Sequence, residues 1–140
     1  MTFAKYGFIA VPAAWLLIVT ATPMAQEKTT NSGIFTAEQV KRGETTYKKE
    51  CESCHGGGLE GDGFAPGLSG SEFMSAWNGT SVGDLYDRIR ISMPPSNPAS
   101  VPAQAKADII AFVLEHNKFP AGQAELTPEA SKTIKFELPK

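Results

Sequence analysis

The chain is poor in the residues from which most catalytic and metal sites are built. Its 140 residues hold two cysteines and two histidines. A structural zinc site takes four ligands, commonly as two pairs at similar spacing, and only one such pair is available. An excess of either charge is missing too: 13 Lys and Arg stand against 15 Asp and Glu, a formal net charge of -2. With no basic stripe, the electrostatic footprint of a nucleic-acid binder is absent. The apolar run from Gly7 to Val19 falls short of the ~20 residues a spanning helix needs, and Pro12 interrupts it. No stretch alternates apolar and polar residues as a half-buried strand does, and there is no internal repeat.

What is present begins with that run. A single cation, Lys5, precedes it and small residues follow it, the layout of a secretory signal peptide. It is expected to occupy residues 1–25, with cleavage after Ala21 or Ala25 left open. The mature chain is then exported, soluble and without a membrane span. It would sit in an oxidising compartment, where two free thiols pair or are consumed. About 115 residues remain, enough for one domain with a modest core.

Residues 26–35 are polar and punctuated by Gly33, and are expected to be a flexible lead-in. Thr36 is a good N-cap, with Gln39 placed to complete a capping box. Val40, Gly43 and Tyr47 share one face of the helix that follows. A glycine in mid-helix costs about 1 kcal/mol against alanine, so Gly43 points to close approach by another element. Between Gly56 and Gly70, seven glycines and a proline exclude regular structure. This is a loop wrapped around something other than a core of its own, since only Leu59, Phe64, Ala65 and Leu68 are apolar. Ser71 to Gly79 is expected to hold a short helix carrying Phe73, Met74 and Trp77. Thr80 or Ser81 caps the next helix, with Asp84 in its first turn and Val82, Leu85 and Ile89 on its apolar face. Met93 continues that series, but a residue before proline is pushed out of the helical region, so Met93 should leave the helix and turn inward. Ser100 is expected to cap a last helix with Pro102 in its first turn. Its face comprises Ala105, Ile109, Phe112, Val113 and His116, widened by Ile110 and Leu114. Another short helix is expected from Thr127 and Pro128. The reading is all-α with long Gly/Pro-rich loops, a domain over 36–120 and a C-terminal extension over 121–140.

The chemistry lies in "CESCH", Cys51 to His55. Three readings compete. A thioredoxin-like redox pair normally follows a strand in a βαβ unit, and none is expected here. A zinc site would hold two thiolates and one imidazole but lack a fourth ligand. In the third reading a haem is attached: two thiols one turn apart reach its two vinyl groups as thioethers, and His55 stands over the iron. Cys-x-x-Cys-His is the attachment signature of c-type haem, and attachment consumes both thiols.

With "G...Y...CESCH", a glycine-rich loop containing "APGL", then "MPP" and a C-terminal helix, the chain resembles class I c-type cytochromes from about Phe35 to Asn117. The longer pattern "CESCHG..LEG....PGLSG..F...W.G....DLY..IR.SMPP", followed by "N.FPAG..EL", is similar to cytochrome domains and subunits that accept electrons from pyrroloquinoline-quinone alcohol dehydrogenases. The resemblance implies a cytochrome c-like fold of three to five helices around one covalent haem c. Cys51 and Cys54 would hold the haem, and His55 and Met93 would be its axial ligands. Pro66 would offer its carbonyl to the other ring nitrogen of His55. Leu68 and Trp77 would also contact the haem, Trp77 through its indole N–H to a propionate. Gly43 and Tyr47 would meet the C-terminal helix near Ile109, Phe112 and Val113.

Met74, beside Phe73 and Trp77, is read as core, and His116 as a capping or surface residue. Met93 ends a helix 38 residues beyond His55, leaving room for a loop to pass the haem edge. With both axial positions filled, no open site remains for oxygen or a substrate. The implied function is a periplasmic monohaem carrier of single electrons, not an enzyme. Its partners would be redox proteins: a quinoprotein dehydrogenase as donor, and a terminal oxidase or another cytochrome as acceptor. The alternatives are a subunit bound tightly in a quinoprotein dehydrogenase complex, a haem enzyme or sensor with an open distal site, and a thiol–disulfide oxidoreductase. Lys48, Lys49, Glu50, Glu52, Glu60 and Asp62 around the attachment site form a mixed, solvated surface that does not identify the donor.

Overall fold

A computed structural model describes residues 1–2 and 27–140; the expected signal segment lies almost wholly outside the described residues. Among the described residues there are six helices and no strand: α1 (Ala37–Glu50), α2 (Glu52–His55), α3 (Gly70–Trp77), α4 (Val82–Ser92), α5 (Ala103–His116) and α6 (Pro128–Ser131). The architecture is the all-α, cytochrome c-like one. It exceeds three to five helices only because α2 and α6 are single turns of four residues. Among the described residues no helix is long and apolar enough to cross a membrane.

The helix starts follow local chemistry. Thr36 accepts a hydrogen bond from the Gln39 N–H, and Thr127 one from the Ala130 N–H. Ser81 and Asp84 cap each other reciprocally at α4, satisfying donors that a helix start otherwise leaves unpaired. Two expectations need correction. Gln39 does not complete a capping box, because its side chain is fully buried and bonded elsewhere. Ser100 does not cap α5; it closes a separate 3-10 turn, Pro98–Ser100, and its hydroxyl donates to the Asn97 carbonyl. Pro102 stands at the N-cap of α5 instead, with no side-chain cap.

The core is built on the crossing of α1 and α5, the most extensive helix–helix contact among the described residues. At the crossing lies Gly43: a Cβ there would collide with the backbone carbonyl of Asp108. A polar knot of five residues flanks it. The Gln39 amide donates to Asp108 (2.8 Å) and to the Leu126 carbonyl (2.7 Å), and its oxygen accepts from the Leu126 N–H (2.8 Å). Gln104 and Arg42 also donate to Asp108. A buried carboxylate and a buried amide are tolerable only when partnered in this way.

The segment expected to be a flexible lead-in is tied into the body from Lys28 onward. Thr30 and Phe35 are fully buried. The Thr30 N–H donates to the Lys135 carbonyl, and the Lys135 N–H to the Lys28 carbonyl. On its other side, the C-terminal stretch pairs with the turn between α3 and α4, through Gly79 N–H to Phe136 and Phe136 N–H to Thr80. Phe136 inserts edge-on between Phe73 (6.2 Å) and Phe119 (5.6 Å). The extension over 121–140 thus packs on the domain as part of its core.

Candidate functional site

Cys51, Cys54 and His55 lie on one turn, closed by hydrogen bonds from the Cys54 and His55 N–H groups to the Cys51 carbonyl. All three border a cavity of about 740 Å³, and Met93 borders it too. Its walls are apolar: Phe73 of α3, Leu85 and Ile89 of α4, Ile109 and Val113 of α5, and Leu68 of the connecting loop. The volume falls within the range of ligand sites, and the lining is of the kind that shelters a large apolar group.

His55 is buried, and its Nδ1 lies 2.9 Å from the carbonyl oxygen of Pro66. A carbonyl only accepts, so Nδ1 carries a proton, and in the neutral imidazole the lone pair is then on Nε2. Met93 is placed by the end of α4. It is the C-cap, in extended conformation at φ -126°, and its N–H still bonds to the Ile89 carbonyl. The proline that follows it therefore ends the helix where the side chain meets the cavity. The segment after it is held from α5: the buried Lys106 donates to the Pro98 carbonyl.

The glycine-rich loop is fastened at several points. The Tyr47 hydroxyl donates to the Gly56 carbonyl at 2.7 Å. Burial, with Cys51, Glu60 and Glu52 adding, pushes that phenol up to about 12, so it remains a donor. Leu59 is fully buried at φ +62°, a region that few non-glycine residues occupy. Asn117, just past α5, donates to the Leu68 carbonyl at 2.9 Å and accepts from the Gly70 N–H at 3.1 Å. The roles of Asn117, Leu59 and Lys106 were not foreseen from the sequence. An asparagine ending a helix carries a weak capping signal; the other two carry none.

Trp77 stands apart. It is half-buried against Phe73 at 6.5 Å and does not line the large cavity. It borders a second hollow of about 290 Å³ with Asp84, Asp87 and Arg88. Met74 is buried in the core. His116 is half-buried, with its ring against Phe112 at 6.3 Å.

Chemically, the site offers two thiols on one turn, one imidazole nitrogen and one thioether around an apolar space. That donor set suits a covalently attached haem. It does not suit a hydrated cation: among the described residues no group of three His, Cys, Asp or Glu could hold a metal ion. Thiol exchange would need a thiolate, and Cys51 is poorly placed to supply one. Burial, then Glu50 and Cys54, pushes the Cys51 thiol up to about 11.

A family model described as "Cytochrome C oxidase, cbb3-type, subunit III" matches residues 38–113. No curated protein and no solved structure matches the chain.

Proposed function

The chain belongs to the family described as cytochrome C oxidase, cbb3-type, subunit III, and from that premise we propose that it is a periplasmic, monohaem c-type cytochrome carrying single electrons through a haem ligated by His55 and Met93. Membership makes it a c-type cytochrome with covalent haem, working in electron transfer among redox proteins. The single observation carrying the finer reading is that Cys51, Cys54, His55 and Met93 border one apolar cavity.

When bound, haem supplies a one-electron ferric–ferrous couple. Cys51 and Cys54 would hold it as thioethers, with His55 offering Nε2 and Met93 its sulfur. A methionine ligand raises the reduction potential relative to two histidines. The aliphatic walls contributed by α4 and α5 act in the same direction, since a low dielectric disfavours the extra charge of the oxidised centre. The Pro66 carbonyl works against both, making the imidazole more basic. Two side-chain ligands leave no position for substrate, so these residues support transfer rather than catalysis. Cys54 is exposed, and the edge it carries is where electrons would enter and leave through small, transient contacts. The proposed donor is a quinoprotein dehydrogenase, supported by the extended motif pattern. The proposed acceptor is a terminal oxidase or another cytochrome. The periplasmic assignment is supported by the layout of the first 25 residues.

The test is the mass of the protein exported from cells equipped for cytochrome maturation. An excess of one haem is expected, and a colourless product of polypeptide mass refutes the reading. Met93→Ala is expected to lower the reduction potential and to admit carbon monoxide at neutral pH. An unchanged potential would remove Met93 from the ligand set.

A further inference from the structure

Residues 61–66 form a bracket closed on His55 from two directions. The Gly61 N–H donates to the His55 backbone carbonyl at 2.8 Å, while the Pro66 carbonyl meets the His55 ring nitrogen at 2.9 Å. Between these ends, one side chain braces the bracket. Asp62 Oδ1 accepts from the Phe64 N–H at 2.9 Å and the Ala65 N–H at 2.7 Å, and the Asp62 N–H bonds back to the Ala65 carbonyl at 3.3 Å. Gly61 and Gly63 have φ of +77° and +89°. A Cβ on Gly61 would meet the Ala65 carbonyl oxygen at 2.6 Å and the Pro66 carbonyl carbon at 2.9 Å. The turn is therefore tight, and Pro66, which has no N–H, has no backbone donor of its own to hold its carbonyl in place.

We propose that Asp62 is a positioning residue for His55: its carboxylate clamps the 61–66 bracket and so holds the Pro66 carbonyl on the imidazole N–H. The inference rests on the haem reading above and deepens it. A histidine ligand whose N–H partner is fixed keeps one tautomer, one ring orientation and a raised basicity, and losing such a partner typically costs 10–100-fold in metal affinity or activity. A less basic imidazole stabilises the ferric state less. Asp62 is exposed at the rim of the cavity, where solvent screens its charge. Its effect is carried by hydrogen-bond geometry.

Variants of the full haem-loaded protein separate geometry from charge. Asp62→Ala removes the clamp and is expected to destabilise the ferric relative to the ferrous state about tenfold, a rise of about 59 mV for one electron. Its His55 Nδ1–H should also exchange faster with solvent by proton NMR. Asp62→Asn loses the charge but keeps an oxygen at the same reach, and is expected to stay at the wild-type potential and exchange rate. Asp62→Gln has the same chemistry with a longer reach, and is expected to follow the alanine variant. It keeps the test decisive should Asp62→Ala fail to fold. An unshifted alanine or glutamine variant overturns the proposal, as does an asparagine variant that moves with them, since charge would then be the cause. A wild-type protein without haem would instead sink the functional reading, so the two failures are distinct.

Discussion

At Gly43 a Cβ would strike the carbonyl of Asp108, which belongs to backbone and cannot rotate away. Gly43→Ala therefore forces α1 off α5. Despite the better helix propensity of alanine, a loss of about 1–3 kcal/mol, the usual cost of overpacking, is expected in urea denaturation of the haem-loaded protein. Asp108 itself supplies a pH signature. Burial alone would raise its carboxyl, but hydrogen bonds from Arg42, Gln39 and Gln104 outweigh burial and hold it below the ordinary carboxylate range. A group depressed in the folded state contributes stability that is present above its unfolded pKa, about 3.9. That stability is lost as pH falls through the lower folded value. Thermal midpoints should therefore fall as pH drops below about 4. Asp108→Asn should lower stability at neutral pH and show a flatter acid limb, and equal slopes for the two proteins would exclude the assignment.

Among the elements, the C-terminal stretch has the largest structural consequence for its length. It connects the segment before α1 to the turn before α4 through backbone hydrogen bonds on both sides of Lys135. It also delivers Phe136, fully buried, between Phe73 and Phe119. Phe73 lines the cavity as well, so the aromatic stack behind it supports one wall of the site. Phe136→Ala is expected to cost about 3–5 kcal/mol, the range for deleting a buried aromatic side chain, in equilibrium denaturation. A change below about 1 kcal/mol, the scale of an exposed substitution, would mean the stretch is not part of the core.

For the whole molecule, the cavity is walled by α3, α4, α5 and the glycine-rich loop together, so whatever fills it joins elements that otherwise touch little. A covalently held apolar group would thus serve as part of the core. Purified protein carrying both Cys51→Ala and Cys54→Ala is expected to melt at lower temperature and less cooperatively than the haem-loaded wild type by calorimetry. Identical transitions would show that the helices hold one another without the group.

Much of the site was legible before any fold, because its chemistry is local. Cys51, Cys54 and His55 share one helical turn, so their spacing in sequence already places them together. The exit of Met93 from α4 follows from the proline after it, the caps at Thr36, Ser81 and Thr127 from hydroxyls one turn before their N–H partners, and the loop from its glycines. The side chain of Gln39 was misjudged because its partners are Asp108 and Leu126, 69 and 87 residues away. Trp77 was placed at the haem by the resemblance alone, and its neighbours in sequence do not say which side of α3 the indole leaves by; it borders the smaller hollow instead. The lead-in was expected to be loose because the backbone it pairs with lies more than 100 residues on, at Lys135 to Leu138. What the sequence determined by itself was therefore the set of short-range choices, settled by sterics and hydrogen bonds within a turn. Tertiary structure alone decided which distant surfaces meet, since burial and long-range polar pairing exist only once the helices have crossed.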